Sequence, residues 1–355
     1  MQKKKRIVQT LRVIMPIVGI LCIVIFSPWD GIWAWIRPIP NSVQEQVDDA
    51  IGYGLDGIIV YVDEAGEPPA FYTAGWKDRE HQIPADPQSL FKIGSISKLY
   101  VAAATAKLVN EQRLSLDDTL ADFFPELVGR IENADQITLR MMVQHRSGIP
   151  NYTNQPGFRW DNPPKTNKES LALVLDLPAD FAPDTNYSYS NTNYLLIREI
   201  LDKVLGYPHF QYIKEEMLTP LGLNNTFASI HDVDIDDVMS GYYVGAEADF
   251  KQIDAGMVAT AEDVGIFLRA LNDGSLLNAK EQAIYSSIYE YEHSGWVLGY
   301  YSIARYHEEM DTVVVQFVNT NGGTPLVPVF DTQGGTKVMV SNIVYNRIVQ
   351  ILRGE

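Results

Sequence analysis

Phe91-Lys92-Ile93-Gly94-Ser95-Ile96-Ser97-Lys98 leads into an alanine- and leucine-rich run that continues to Gln112. Read as a helix over Ser95–Gln112, it sets Ser95 and Lys98 three residues apart, on one face and one turn from each other. A serine at a helix N-terminus keeps its own N–H free to donate, and the helix dipole there favours negative charge. A neighbouring lysine serves as a base only if burial or a second cation lowers its pKa. Taken alone, the stretch also reads as an N-capping serine beside a solvated lysine.

The flanking sequence supplies strands. Gly57–Val62 and Ala70–Trp76 are β-rich runs around the turn Glu64-Ala65-Gly66-Glu67 and predict a hairpin. Trp296–Tyr306 and Thr312–Asn319 predict a second antiparallel pair. Between them the signals are helical. Thr138–His145 stops at Ser147-Gly148 with Pro150 beyond, and Asn193–Leu205 ends at Gly206. Thr260 with Asp263 predicts a capping box for a helix to Asn272. Asn41–Ala50 reads as a short polar helix, and Val340, Val344, Ile348 and Leu352 form one stripe of a last helix. Strands near both ends with helices between predict an α+β fold. Its antiparallel sheet is built from N- and C-terminal strands, flanked by helices, with an inserted mainly helical lobe.

The 355 residues are 46% hydrophobic and 21% charged, proportions of a globular chain with no disordered or collagen-like character. Net charge is −17, and residues 38–355 hold 22 basic and 44 acidic residues, so nucleic acid is excluded as a partner. Basic residues concentrate instead at Lys3, Lys4, Lys5 and Arg6, ahead of Val13–Phe26, 14 residues without charge. That length matches a signal-peptide core; reaching back to Leu11 and forward to Trp33 and Trp35 makes a tilted span. An uncleaved anchor is the preferred reading, with cleavage after Ile32-Trp33-Ala34 the alternative. The division expected is residues 1–40 as cytoplasmic basic tail plus membrane anchor or signal segment, and 41–355 as an extracytoplasmic body. Cys22 is the single cysteine, so the body has neither disulfide nor thiol nucleophile.

Two further motifs carry chemistry. Tyr189-Ser190-Asn191 precedes an apolar helix; its hydroxyl can relay a proton and its amide can hold a lysine and a substrate carbonyl. His293-Ser294-Gly295 opens a strand, and an edge strand beside a nucleophile can donate a second oxyanion N–H. Singly, each reads as a cap or a structural histidine.

In this order, S-x-x-K, Y-x-N and H-x-G resemble the serine β-lactamase-like and penicillin-binding (β-lactamase/transpeptidase-like) family. Blocks at Phe91–Thr105, Ile137–Tyr152, Phe181–Leu201, Pro220–Leu223 and Asp254–Leu271 extend the likeness. The branch it is most similar to is the class C-like one: D,D-peptidases, D-aminopeptidases, esterases and teichoic-acid D-alanine esterases. The resemblance implies Ser95 as acylated nucleophile, Lys98 and Tyr189 as the proton-transfer pair, and Asn191 as holder of the substrate amide and Lys98. It puts His293 in place of the third motif's lysine, with Ser294 and Gly295 lining the site and the N–H groups of Ser95 and Trp296 as oxyanion hole. No cofactor and no metal is implied.

Three residues depart from the family pattern. His293 is neutral near pH 7, which weakens the case for β-lactams and carboxylate-bearing peptides. The side chain of Trp296 narrows or roofs the cleft, and Asp184 is a turn variant. Other constellations carry no chemistry. Asp232, Asp234, Asp236 and Asp237 lack the glycine and closing glutamate of a calcium loop. His307-Glu308-Glu309 lacks a second histidine, and Gly334-Gly335-Thr336-Lys337 lacks phosphate-loop spacing.

The expected function is a membrane-anchored extracytoplasmic serine hydrolase working through acyl-Ser95. Its substrates would be D-alanyl groups of the cell envelope, as teichoic-acid ester or peptidoglycan stem peptide. A β-lactamase or D,D-carboxypeptidase is the alternative, and a catalytically idle binding or regulatory module the alternative of another class.

Overall fold

Three helices precede the first strand: α1 (Gln2–Phe26), α2 (Trp29–Ile36) and α3 (Val43–Gly52). The structure is a computed structural model and describes residues 2–323 and 335–354. The hairpin follows as β1 (Gly57–Glu64) and β2 (Ala70–Asp78), with a short β3 (Ile83–Pro84). The main elements then run α4 (Ser97–Asn110), α5 (Asn191–Leu205), α6 (Ala261–Asp273), β4 (His293–Val297), β5 (Tyr300–His307), β6 (Thr312–Val318) and α7 (Gly335–Arg353).

The strands form one antiparallel sheet in the order β3-β2-β1-β6-β5-β4. Its centre joins the two ends of the sequence, with Ile58 opposite Val318 and Val62 opposite Val314. β1 is apolar at nearly every position because both of its faces are covered. Ile58, Val60 and Val62 pack with Val314, Val318, Val340, Val344 and Ile348 beneath α3 and α7. Ile59 and Tyr61 pack with Val313, Val315 and Phe317 against the helical lobe. α4 runs through that second core with ten of its residues buried, Ala102, Ala103, Ala104 and Ala106 among them. β4 is left at the sheet edge, beside the turn that precedes α4.

Several local expectations are corrected. Trp296–Tyr306 is two strands, because Val297 pairs with Tyr300 across the two-residue turn Leu298-Gly299, which the apolar run conceals. Thr260 Oγ1 caps Asp263 N, but the box is not reciprocal: the Asp263 carboxylate accepts from Asn225 N at 2.8 Å and Thr226 Oγ1 at 2.9 Å. The helix expected over Thr138–His145 is confined to Leu139–Val143, since His145 turns to a φ of 57°. Ser95 lies in a 3-10 turn, Gly94–Ile96, that feeds α4 rather than in α4 itself.

At the N-terminus, α2 rests on α7. Ala34 is fully buried, a Cβ on Gly31 would meet Met339, and Asp30 pairs with Lys337 Nζ at 2.6 Å. Arg347, also on α7, donates to the carbonyls of Arg37 (2.8 Å) and Pro38. Trp29, Trp33, Trp35 and Ile36 remain exposed. Among the described residues, no single helix is long and apolar enough to cross a membrane. Ile14–Val24 and Trp29–Ile36 reach that length together, bent by 75°.

Candidate active site

Gly94 and Gly295 decide how closely β4 approaches the serine turn. Gly94 takes a φ of +55°, and a Cβ there would lie 3.1 Å from Trp296 N and 3.2 Å from Gly295 Cα. A Cβ on Gly295 would fall 2.0 Å from Ile93 O and 2.4 Å from Ser302 Oγ. Ser302 Oγ donates to Ile93 O at 3.0 Å and stitches β5 to the same turn. Only glycine at both positions lets backbone meet backbone, which brings Trp296 N to the border of the Ser95 turn.

Around Ser95 Oγ the motifs converge. Tyr189 Oη is 2.6 Å away and Lys98 Nζ 3.2 Å. Lys98 Nζ donates to Asn191 Oδ1 at 3.0 Å and lies over the rings of Tyr189 and Tyr194, 4.9 and 5.3 Å from their centroids. Asn191 is itself fixed, its N–H donating to Asn151 Oδ1 at 3.1 Å and its Nδ2 to Thr153 Oγ1 at 3.3 Å. Among the described residues no carboxylate is bound to Lys98, and burial first, and the charge of Arg198 second, lowers its pKa to about 7. Burial raises Tyr189, with its hydrogen bond to Ser95 opposing in part. The site therefore holds a lysine half of which is neutral at neutral pH, and a tyrosine that is a phenol.

His293 is largely buried, and its Nδ1 hydrogen-bonds to the carbonyl of Ser294. Burial, with Lys98 adding, lowers its pKa to about 4, so it is a neutral imidazole at the third motif. Ser294 pairs with Ile303, and Gly295 with Ser302, in the edge strand. Trp296 meets Trp160 edge-on, ring centroids 4.8 Å apart. Phe158 continues the contact at 4.9 Å from Trp160, and Tyr152 at 5.5 Å from Phe158. These rings wall a cavity of about 440 Å3 that opens on Ser95, Lys98 and Asn191.

In the sequence His145 marks only the end of the helix expected over Thr138–His145, inside the block Ile137–Tyr152. Its ring packs 4.5 Å from that of Tyr189, and its Nδ1 accepts from Ser190 N at 3.2 Å. Burial, then the charges of Lys98 and His293, lowers it to about 3. It is a neutral prop behind Tyr189, set there by its left-handed backbone. Arg198 was not singled out either, although its position seven residues after Asn191 puts it on the same helical face. Asp184 takes a φ of 62° and accepts from Arg146, a turn variant as expected.

The discarded motifs lie elsewhere. Asp232 and Asp234 accept backbone N–H groups of their own loop, from Ser229 and Asp236. Among the described residues no three His, Cys, Asp or Glu side chains are grouped to hold a metal. His307 Nε2 bonds the Tyr345 hydroxyl. Lys337 belongs to the α2 contact, and Gly334 lies outside the described residues.

A penicillin-binding protein of Bacillus subtilis (strain 168) is 26% identical over 170 residues, 47% of this chain and 37% of that protein. Protein flp of Staphylococcus aureus (strain MW2) is 24% identical over 241 residues, 64% of this chain and 48% of its own. The chain thus spans less than half the length of these relatives. In three dimensions it superposes on the D-amino acid amidase of Ochrobactrum anthropi SV3 with a TM-score of 0.76, at 23% identity over 88% of this chain and 98% of the other. Residues 41–287 match the family described as beta-lactamase, well over half the chain, and this protein therefore belongs to the beta-lactamase family.

Proposed function

We propose that the protein is an extracytoplasmic serine hydrolase, held at a membrane by residues 1–40, that transfers a D-alanyl group of the cell envelope to Ser95 and then to water. The observation that carries the reading is the position of Ser95 Oγ, between Tyr189 Oη at 2.6 Å and the Nζ of a lysine with a pKa of about 7 at 3.2 Å. Neutral Lys98 takes the Ser95 proton as Oγ bonds the substrate carbonyl carbon. The oxyanion so formed faces the N–H groups of Ser95 and Trp296. Tyr189, a phenol, donates its proton to the departing oxygen or nitrogen and is reprotonated from the Lys98 ammonium. Water then attacks the ester on Ser95, losing its proton to the same pair, and the acid and free serine are restored.

The neutral third-motif histidine favours esters or amides of D-alanine over peptides that end in a free carboxylate. The acidic body favours a substrate that exposes an ammonium, as a D-alanyl ester does. Membrane attachment is supported by the apolar face of α2, whose tryptophans point away from the body and continue the uncharged Val13–Phe26 segment.

The test is intact mass of the full-length protein in detergent after exposure to benzylpenicillin, with Ser95→Ala beside it, together with release of D-alanine from D-alanylated teichoic acid and from stem peptide. Ser95-dependent release from teichoic acid supports the ester reading. Release from stem peptide alone, or a stable penicilloyl adduct on Ser95, moves the assignment to a D,D-carboxypeptidase, and Ser95-dependent hydrolysis of benzylpenicillin without a lasting adduct moves it to a β-lactamase. No adduct, no hydrolysis of benzylpenicillin and no release of D-alanine leaves a binding module on the same fold.

A further inference from the structure

Asn191, Tyr194 and Arg198 follow one another along a single face of α5, and all three line the cavity. Seven residues of helix carry Arg198 about 10 Å along the axis from the asparagine that holds Lys98. Arg198 is half-buried and, among the described residues, makes neither hydrogen bond nor ion pair. Its i+4 neighbour Asp202 is spaced for a helical pair. That carboxylate is turned instead to His209, accepting from its backbone N–H and from ring Nδ1 at 2.8 Å. Asp254, also on the cavity wall, accepts from Gly256 N at 3.1 Å. The buried Lys92 is committed as well, donating to the carbonyls of Phe250 at 2.7 Å and Ile253 at 2.6 Å.

A chain of net charge −17 therefore keeps, inside its one cavity described around Ser95, a guanidinium with all five donors uncommitted. The Asp202 carboxylate feels its charge at longer range but does not pair with it, and the planar fork of the guanidinium matches carboxylate and phosphate oxygens. We propose that Arg198 forms an anion subsite that takes a carboxylate or phosphate carried by the substrate, two turns of α5 away from the bond that Ser95 attacks. This rests on the serine-hydrolase reading and adds to it the charge the substrate must bear. It also separates two environments: an acidic outer surface that suits the D-alanyl ammonium, and an unpaired arginine inside the cavity that suits an anion elsewhere on the same molecule.

Titration calorimetry of the full-length protein in detergent with glycerol 3-phosphate and, separately, N-acetyl-D-alanine tests the subsite without turnover. Arg198→Gln should weaken the anion that belongs there by roughly tenfold or more, while Arg198→Lys keeps the charge and loses only the fork, giving an intermediate value. Preference for glycerol 3-phosphate identifies a phosphate-bearing substrate, and preference for N-acetyl-D-alanine a carboxylate-bearing one. Binding of neither at millimolar concentration, or equal binding by folded Arg198→Gln, overturns the subsite. Hydrolysis of an uncharged acetyl ester, followed beside it, reports the hydrolase reading alone: a chain that binds the anion but hydrolyses nothing overturns that reading and not the subsite.

Discussion

Acid should switch off Ser95 through Lys98, and the structure sets both where and how steeply. Burial, reinforced by Arg198, brings Lys98 to about 7, whereas an ordinary lysine titrates near 10.4. Roughly half the molecules then carry the neutral amine at pH 7 and about 1% at pH 5. An unshifted lysine would supply fewer than about one molecule in a thousand at pH 7. Lys92, on the same cavity wall, is also lowered to about 7 by burial, but it donates to the carbonyls of Phe250 and Ile253 rather than to Ser95, and Lys98→Arg separates the two. His293 and His145, lowered to about 4 and about 3, stay neutral across the interval, and Tyr189, raised by burial, stays protonated. For p-nitrophenyl acetate, which does not itself titrate, kcat/KM should fall roughly fiftyfold from pH 7 to pH 5 with unit slope and level off above about pH 8. Lys98→Arg keeps the cation, removes the proton acceptor, and should lower the plateau by about a thousandfold with no limb near 7. A limb centred near 4 would hand the base to His293, and a flat profile would refute a lysine base altogether.

Tyr189→Phe removes the 2.6 Å contact with Ser95 and should cost about 10²- to 10⁴-fold in kcat/KM, with little change in melting temperature. Equal activity would move proton delivery to Lys98 alone. Gly295→Ala drives a Cβ to within 2.0 Å of Ile93 O, so denaturant titration should show a loss of more than about 2 kcal/mol. Unchanged stability would mean that β4 does not press on the serine turn. Asp30→Ala leaves Lys337, 7% exposed, with only the Tyr53 carbonyl, at a cost of about 1–2 kcal/mol because Asp30 itself is half-exposed. If the unfolding midpoint stays where it was, α2 is not part of the folded body.

Much of the architecture could be read locally. The hairpin, the last helix and the union of both chain ends in one sheet follow from residue patterns within a few positions of each other, such as Val340, Val344 and Ile348 at helical spacing. Local pattern and structure part where a segment is ambiguous about its own ends. The apolar run from Trp296 hid a two-residue turn, and Asp263, spaced to close a capping box, found better partners in Asn225 and Thr226 from a distant loop. The site shows the same division. Ser95 and Lys98 lie one turn apart by sequence spacing alone, but Tyr189 comes from 94 positions away.

What the chain dictates without folding is therefore which residue types stand at which spacing: a serine and lysine at a helix entrance, a tyrosine and asparagine before another, glycines where strand and turn must touch. Whether that lysine is a base, that histidine a cation, or that arginine free depends on desolvation and on the charges within a few ångströms. Spacing does not contain those quantities. Lys98 loses water and gains Arg198 as a neighbour, and His293 and His145 lose theirs beside Lys98. Each of these is an exchange of solvent for protein that occurs only when segments remote in sequence close around one cavity, and so tertiary structure alone decides the chemistry of the motifs.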